Sequence, residues 1–166
     1  MKLCIWVRLG SETGRLYPAS RLKSRAAFDA SSARASGTAE GKNDVAIWSA
    51  RSENGHWLKP VEMVREPNTP CWNPVLFRTS DKVLWMYYKF GPSPREWTAG
   101  RMFSTDDGVT WSKPEHLPAG VYGPIRAKPL LLADGTIVSG TSVESYGSWA
   151  AWIERSTDNG KTWTRI

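Results

Sequence analysis

Ser156-Thr157-Asp158-Asn159-Gly160-Lys161-Thr162-Trp163 decides the reading of the chain, because it has a near copy at Ser104-Thr105-Asp106-Asp107-Gly108-Val109-Thr110-Trp111. Both read S-T-D-x-G-x-T-W, and their serines lie 52 positions apart. The same step back from Ser104 lands on Ser52, where Ser52-Glu53-Asn54-Gly55-His56-Trp57 is a shortened third version. An internal repeat of ~50 residues points to solenoids or propellers.

The octet's chemistry is that of a corner between strands. A strand-like run leads into each full copy, Trp97 to Phe103 and Trp149 to Ile153, and the strand-favouring Thr and Trp follow it. Between them the Asp side chain accepts backbone N–H bonds two residues on, and Gly supplies a positive φ without steric cost. The motif thus predicts a structural turn with a buried aromatic pin, and no catalytic part for its own residues.

Strand runs extend the pattern. Pro74 to Arg78, Val83 to Tyr88, Trp97 to Phe103 and a fourth beginning at Thr110 to Ser112 make a four-stranded meander of about 45 residues, the size of a propeller blade. Ala127 to Leu132, Ile137 to Thr141, Trp149 to Glu154 and Thr162 to Ile166 repeat it, with Asp134-Gly135 as a hairpin signal. Ahead of them Val45 to Ser49 is a strand turned back by the shortened octet. Pro60, Pro67 and Pro70 predict a linker that is not central strand.

Residues 1–36 read differently. Their charge balance is +5, from seven Lys and Arg against Glu12 and Asp29, out of a chain total of +6. Ser20 to Ser36 mixes Ala, Ser and Arg without a 2- or 3.6-residue period. This predicts a poorly ordered basic leader; an organelle transit peptide or a basic arm for an anionic surface are the alternatives. Leu3 to Val7 is too short for a secretory signal, and no run reaches the ~20 apolar residues of a membrane span. With the excess charge confined to the leader, nucleic acid is not an expected partner. Cys4 and Cys71 imply no disulfide framework, and His56 and His116 have no metal-ligand spacing, so neither cofactor nor metal is expected.

The octet resembles the Asp box of sialidases and related BNR-repeat proteins. Pro74-Val75-Leu76-Phe77 and Lys128 to Val138 are similar to the bacterial sialidase-like members, and the likeness covers residues 37–166. The fold this implies is all-β: part of a six-bladed β-propeller, with two four-stranded blades and part of a third. The activity it implies is hydrolysis of terminal sialic acid or a related acidic glycan. A non-catalytic propeller that binds carbohydrate or protein is the alternative.

Such enzymes use an acid/base carboxyl, a Tyr nucleophile with a Glu partner, and arginines that pair with the sugar carboxylate. The resemblance places the acid/base on the loop before the strand that leads to the first Asp box. Asp44 stands there, with Glu40 a weaker rival. Strand starts near the channel axis face the active site in the family, which makes Arg126 a candidate substrate contact. Trp72 and Asn73 hold the equivalent place one blade earlier, where Trp72 either stacks on a sugar or packs between blades. Glu144 and Tyr146 carry no role over, because the family's nucleophile pair belongs to later blades. The first arginine of the cluster is not recognisable before residue 37, so activity is implied for a full-length relative rather than for this chain alone.

Two blades and a remnant cannot close a ring and leave blade edges and Trp-, Val- and Leu-rich faces open. The expectation is a piece of a longer protein whose isolated chain self-associates. Sedimentation velocity checks this: a mass above the monomer is expected, and a sharp monomer peak with cooperative melting contradicts it.

Overall fold

A computed structural model describes residues 2–6, 35–36, 41–54 and 56–166. The chain divides into two compact units, Met1–Pro74 and Val75–Ile166. The described residues form three antiparallel sheets of five, four and four strands and contain no helix.

The sheet of the first unit is built on one long strand. β1 (Lys2–Trp6) and β2 (Ala35–Ser36) pair with β3 (Ala46–Glu53) at Ser52 to Trp48 and at Ile47 to Ala46. β4 (His56–Trp57) and β5 (Val61–Val64) also pair with β3, the latter across a register shift between Ile47 and Trp48. β5 corrects the linker expected around the prolines. Pro60 and Pro67 bracket the strand without entering it, so no ladder N–H is lost. Of the expected leader, Lys2–Trp6 and Ala35–Ser36 are strands on β3, while residues 7–34 lie outside the described residues.

Two meanders follow, in the orders β6-β7-β8-β9 and β10-β11-β12-β13. The first comprises β6 (Cys71–Arg78), β7 (Leu84–Phe90), β8 (Thr98–Ser104) and β9 (Glu115–His116). The second comprises β10 (Leu130–Leu131), β11 (Ile137–Ser145), β12 (Ser148–Ser156) and β13 (Thr164–Arg165). β7 is buried on both faces, a close packing that Gly100 permits: a Cβ there would lie 2.3 Å from the Tyr88 ring. Phe77, Trp85, Tyr87, Ala99, Leu117, Ile137 and Trp163 form the core of the second unit, each large side chain contributing about 1.5–3 kcal/mol by leaving water.

Each octet joins the third and fourth strand of its sheet, and the two corners share one bonding scheme. Ser104 Oγ donates to Asp106 and accepts from the Gly108 amide at 2.8 Å; Ser156 Oγ does the same for Asp158 and Gly160 at 2.8 and 2.9 Å. Asp106 accepts the amide and hydroxyl of Thr110 at 2.8 and 2.6 Å, and Asp158 those of Thr162 at 2.9 and 2.6 Å. These bonds hold two successive residues in the left-handed region, Asp107-Gly108 and Asn159-Gly160. They also delay the fourth strand of the first meander. It was expected from Thr110, but regular pairing resumes only at Arg101 with Glu115.

The aromatic pin is not uniform. Trp163 is buried, Trp111 is half-buried, and Trp57, on β4 opposite Ser52, is 49% exposed.

Hydrogen bonds from Thr110 hold the Asp106 carboxyl down at about 2. For Asp158 burial pushes upward, and the bonds from Thr162 and Ser156 outweigh it, so its value is also lowered. A depressed carboxyl contributes stability that is complete above the unfolded value and vanishes as pH falls through the folded one. Asp158→Ala should therefore cost about 0.5–2 kcal/mol at neutral pH, the range of a lost capping side chain. The gap from wild type should narrow as pH falls below about 4, as the unfolded and then the folded carboxyl protonate. Urea unfolding followed by Trp fluorescence checks this, and a gap constant over that range contradicts it.

Candidate functional site

In the first unit the turn ahead of β3 carries Asp44 and packs on the start of β6, which carries Trp72 and Asn73. The Val45 amide donates to the Lys42 carbonyl at 3.0 Å, closing a turn that leaves Asp44 exposed. Arg65, ion-paired with Glu62, donates to the Asp44 carbonyl at 2.9 Å and fixes the turn from β5's side. Gly41, at φ +77, lies close against the Trp72 ring; a Cβ there would stand 3.2 Å from Cη2. The Cys71 amide donates to the Val45 carbonyl at 3.1 Å, tying the start of β6 to the same turn. Trp72 and Asn73 are half-buried, and Asn73 takes a φ of 42. Trp72 and Asn73 were placed ahead of a strand at Pro74; they lie within β6, which starts at Cys71. Glu40 lies outside the described residues. Burial pushes the Cys71 thiol up to about 11, so it stays protonated at neutral pH.

Arg126 belongs to the second unit. It was expected at the start of a strand at Ala127, but β10 begins only at Leu130 and Arg126 sits exposed in a bend before it. It stands at the rim of a groove of about 490 Å³ walled by Ile125, Thr141, Ala151 and Trp152, within the size range of small-ligand pockets. The Thr141 hydroxyl is buried without a hydrogen-bond partner.

The segment that carries Arg126 is held by two buried charged residues that the sequence reading missed. Lys89 on β7 donates from Nζ to the carbonyls of Tyr122 and, at 2.9 Å, of Pro124. Glu154 on β12 accepts the amides of Tyr122 at 3.1 Å and Gly123 at 2.6 Å, and the Trp152 indole N–H at 3.0 Å. Burial brings the Lys89 ammonium down to about 7, against a partial upward pull from Glu154. The period of two carried the signal: Lys89 continues the inward Trp85-Tyr87 face, and Glu154 lies between inward Trp152 and Ser156.

Glu144 is ion-paired with Arg95 at 3.0 Å. Tyr146 and Gly147, both at positive φ, form the two-residue turn between β11 and β12, and Tyr146 is fully exposed at its tip. Arg51 pairs with Glu53, and Arg101 pairs with Glu115 while donating to the carbonyls of Gly160 and Lys161.

These arrangements place an exposed carboxyl on a turn that packs through Gly41 on an indole in one unit, and an arginine at the rim of an apolar groove in the other. Among solved structures the chain is similar to the Hadza microbial sialidase Hz136, with 20% identity and a TM-score of 0.58 over 78% of this chain and 32% of that one. It is also similar to a protein of unknown function from Dyadobacter fermentans DSM 18053, with 17% identity and a TM-score of 0.59 over 78% of this chain and 45% of that one. The chain thus spans less than half the length of either, and at these identities the likeness is one of fold. No curated protein matches it. The model of the BNR repeat-like domain matches residues 27–166, beginning ten residues before the likeness read from sequence. The chain belongs to the BNR repeat-like family.

Proposed function

We propose that the chain is part of a sialidase-like six-bladed β-propeller that hydrolyses terminal sialic acid or a related acidic glycan, with Asp44 as its acid/base. The observation that carries this is the packing of Gly41 on Trp72, by which the turn that carries the exposed Asp44 is held against the start of β6. An acid/base must reach the leaving oxygen of the glycoside, and an indole beside it gives the sugar ring a face to rest on. Asn73 follows Trp72 with an amide that can bond sugar hydroxyls. Arg126 offers a planar fork for the sugar carboxylate. The two octet corners are Asp boxes in this reading, and each four-stranded meander is one blade.

A second reading, a propeller that binds glycan or protein without hydrolysing it, has its own support. The family that the chain belongs to is described by its repeat and not by an activity.

Turnover of a fluorogenic sialoside by the full-length gene product separates the readings. Asp44→Asn should lower kcat by about 10²- to 10⁴-fold, the usual loss of a general acid/base. Equal rates would remove Asp44 from the mechanism; glycan binding without turnover by the wild type would establish the second reading.

A further inference from the structure

Among the described residues of the second unit, Lys89 and Glu154 are the buried side chains that bear charge, 0% and 1% exposed. Apolar side chains of the same size would hold their strands as well or better, because a buried charge gives up its hydration. What apolar side chains cannot do is satisfy backbone that has no ladder partner. Residues 122–124 are such backbone, outside every strand. The ammonium takes carbonyls of this stretch and the carboxylate takes its amides, so one short segment is gripped through both kinds of polar group. Gly123, at φ +58, lets the segment approach: a Cβ there would lie 2.8 Å from the Tyr87 ring. Ile125 and Arg126, next along the chain, form a wall of the groove.

We propose that Lys89 and Glu154 are positioning residues, a two-charge clamp on Tyr122–Pro124 that sets where Arg126 stands at the groove, and that the clamp loosens when Lys89 loses its charge. Near-neutral titration of Lys89 supports this, since the ammonium makes stronger bonds to carbonyls than the neutral amine does. Glu154, reaching from β12, is the charged group that acts on Lys89. Arg101, paired with Tyr87 across the ladder, is engaged by Glu115 and the Gly160 carbonyl. Arg165 lies over the Trp152 ring at 4.0 Å, and His116 rests on Phe90, whose side chain points to the face opposite Lys89.

The test is amide hydrogen exchange of Tyr122 and Gly123 in the full chain, corrected for intrinsic rates, at pH 6 and 8.5. In the wild type, protection should fall severalfold between the two. Lys89→Met, with an unchanged near-UV spectrum, should show low protection that no longer varies with pH; Glu154→Gln should lower protection at both values. A lysine that only fills space leaves the wild-type protection equal at the two pH values, and that result overturns the proposal without any variant. The consequence for ligand rests on the glycan reading and is measured separately, by NMR titration with N-acetylneuraminate. Its binding should weaken severalfold from pH 6 to 8.5. If the exchange results hold and N-acetylneuraminate binds at neither pH, the clamp stands and the sialic-acid reading falls.

Discussion

The carbonyl of Gly160 is where the second unit is joined. It accepts the Tyr87 hydroxyl at 2.7 Å, the Arg101 guanidinium at 2.7 Å and the Trp163 indole N–H at 3.1 Å. Trp163 Nε1 also donates to the Tyr87 oxygen at 3.0 Å, with the two rings edge to face. Three donors meet one acceptor because the corner turns its backbone outward through two left-handed residues, and Asp158 holds that turn from within. Tyr87 and Arg101 stand on the earlier meander, and Gly160 and Trp163 on the later one. The later corner is thus both the closure of its own sheet and the plug by which that sheet docks on the earlier meander. Ser80, donating to the Asn159 side chain at 2.7 Å, adds a third link at the same place.

This explains which parts of the fold the sequence displayed. The octets announced themselves because their hydrogen bonds run within eight consecutive residues, so local spacing carries the whole geometry. The order of strands followed from the repeat and from period-two runs. Strand limits were less visible: Asn73 takes a positive φ without ending β6, and the Asp106 bonds postpone β9, a side-chain competition that propensity does not record. The fate of each Trp was also hidden. Trp163 is buried because Tyr87 lies opposite it, whereas nothing in the octet says what lies opposite Trp111. Prolines misled around β5, since their effect depends on whether they fall inside a strand or at its limits.

The candidate site was legible in part. Asp44 stands on the turn ahead of β3 as expected, but the packing of that turn on Trp72 through Gly41 is a tertiary fact. Lys89 and Glu154 passed unnoticed because each reads alone as an ordinary surface charge. Their importance appears only once the alternation of β7 and β12 is seen to turn them inward. One rule holds within each unit: exposed functional groups stand on short irregular segments whose backbone polar groups are tied to buried or partnered residues. Arg65 does this for Asp44, and the buried pair does it for Arg126.

The docking of the corner on the preceding sheet is tested most directly by a double-mutant cycle of Tyr87→Phe and Trp163→Phe. Each stability would be measured by urea unfolding under one set of conditions. If the shared hydrogen bonds at Gly160 join the sheets, the two losses should fall short of additivity by about 1 kcal/mol or more. Losses that add to within about 0.3–0.5 kcal/mol, as for distant and independent residues, would contradict it.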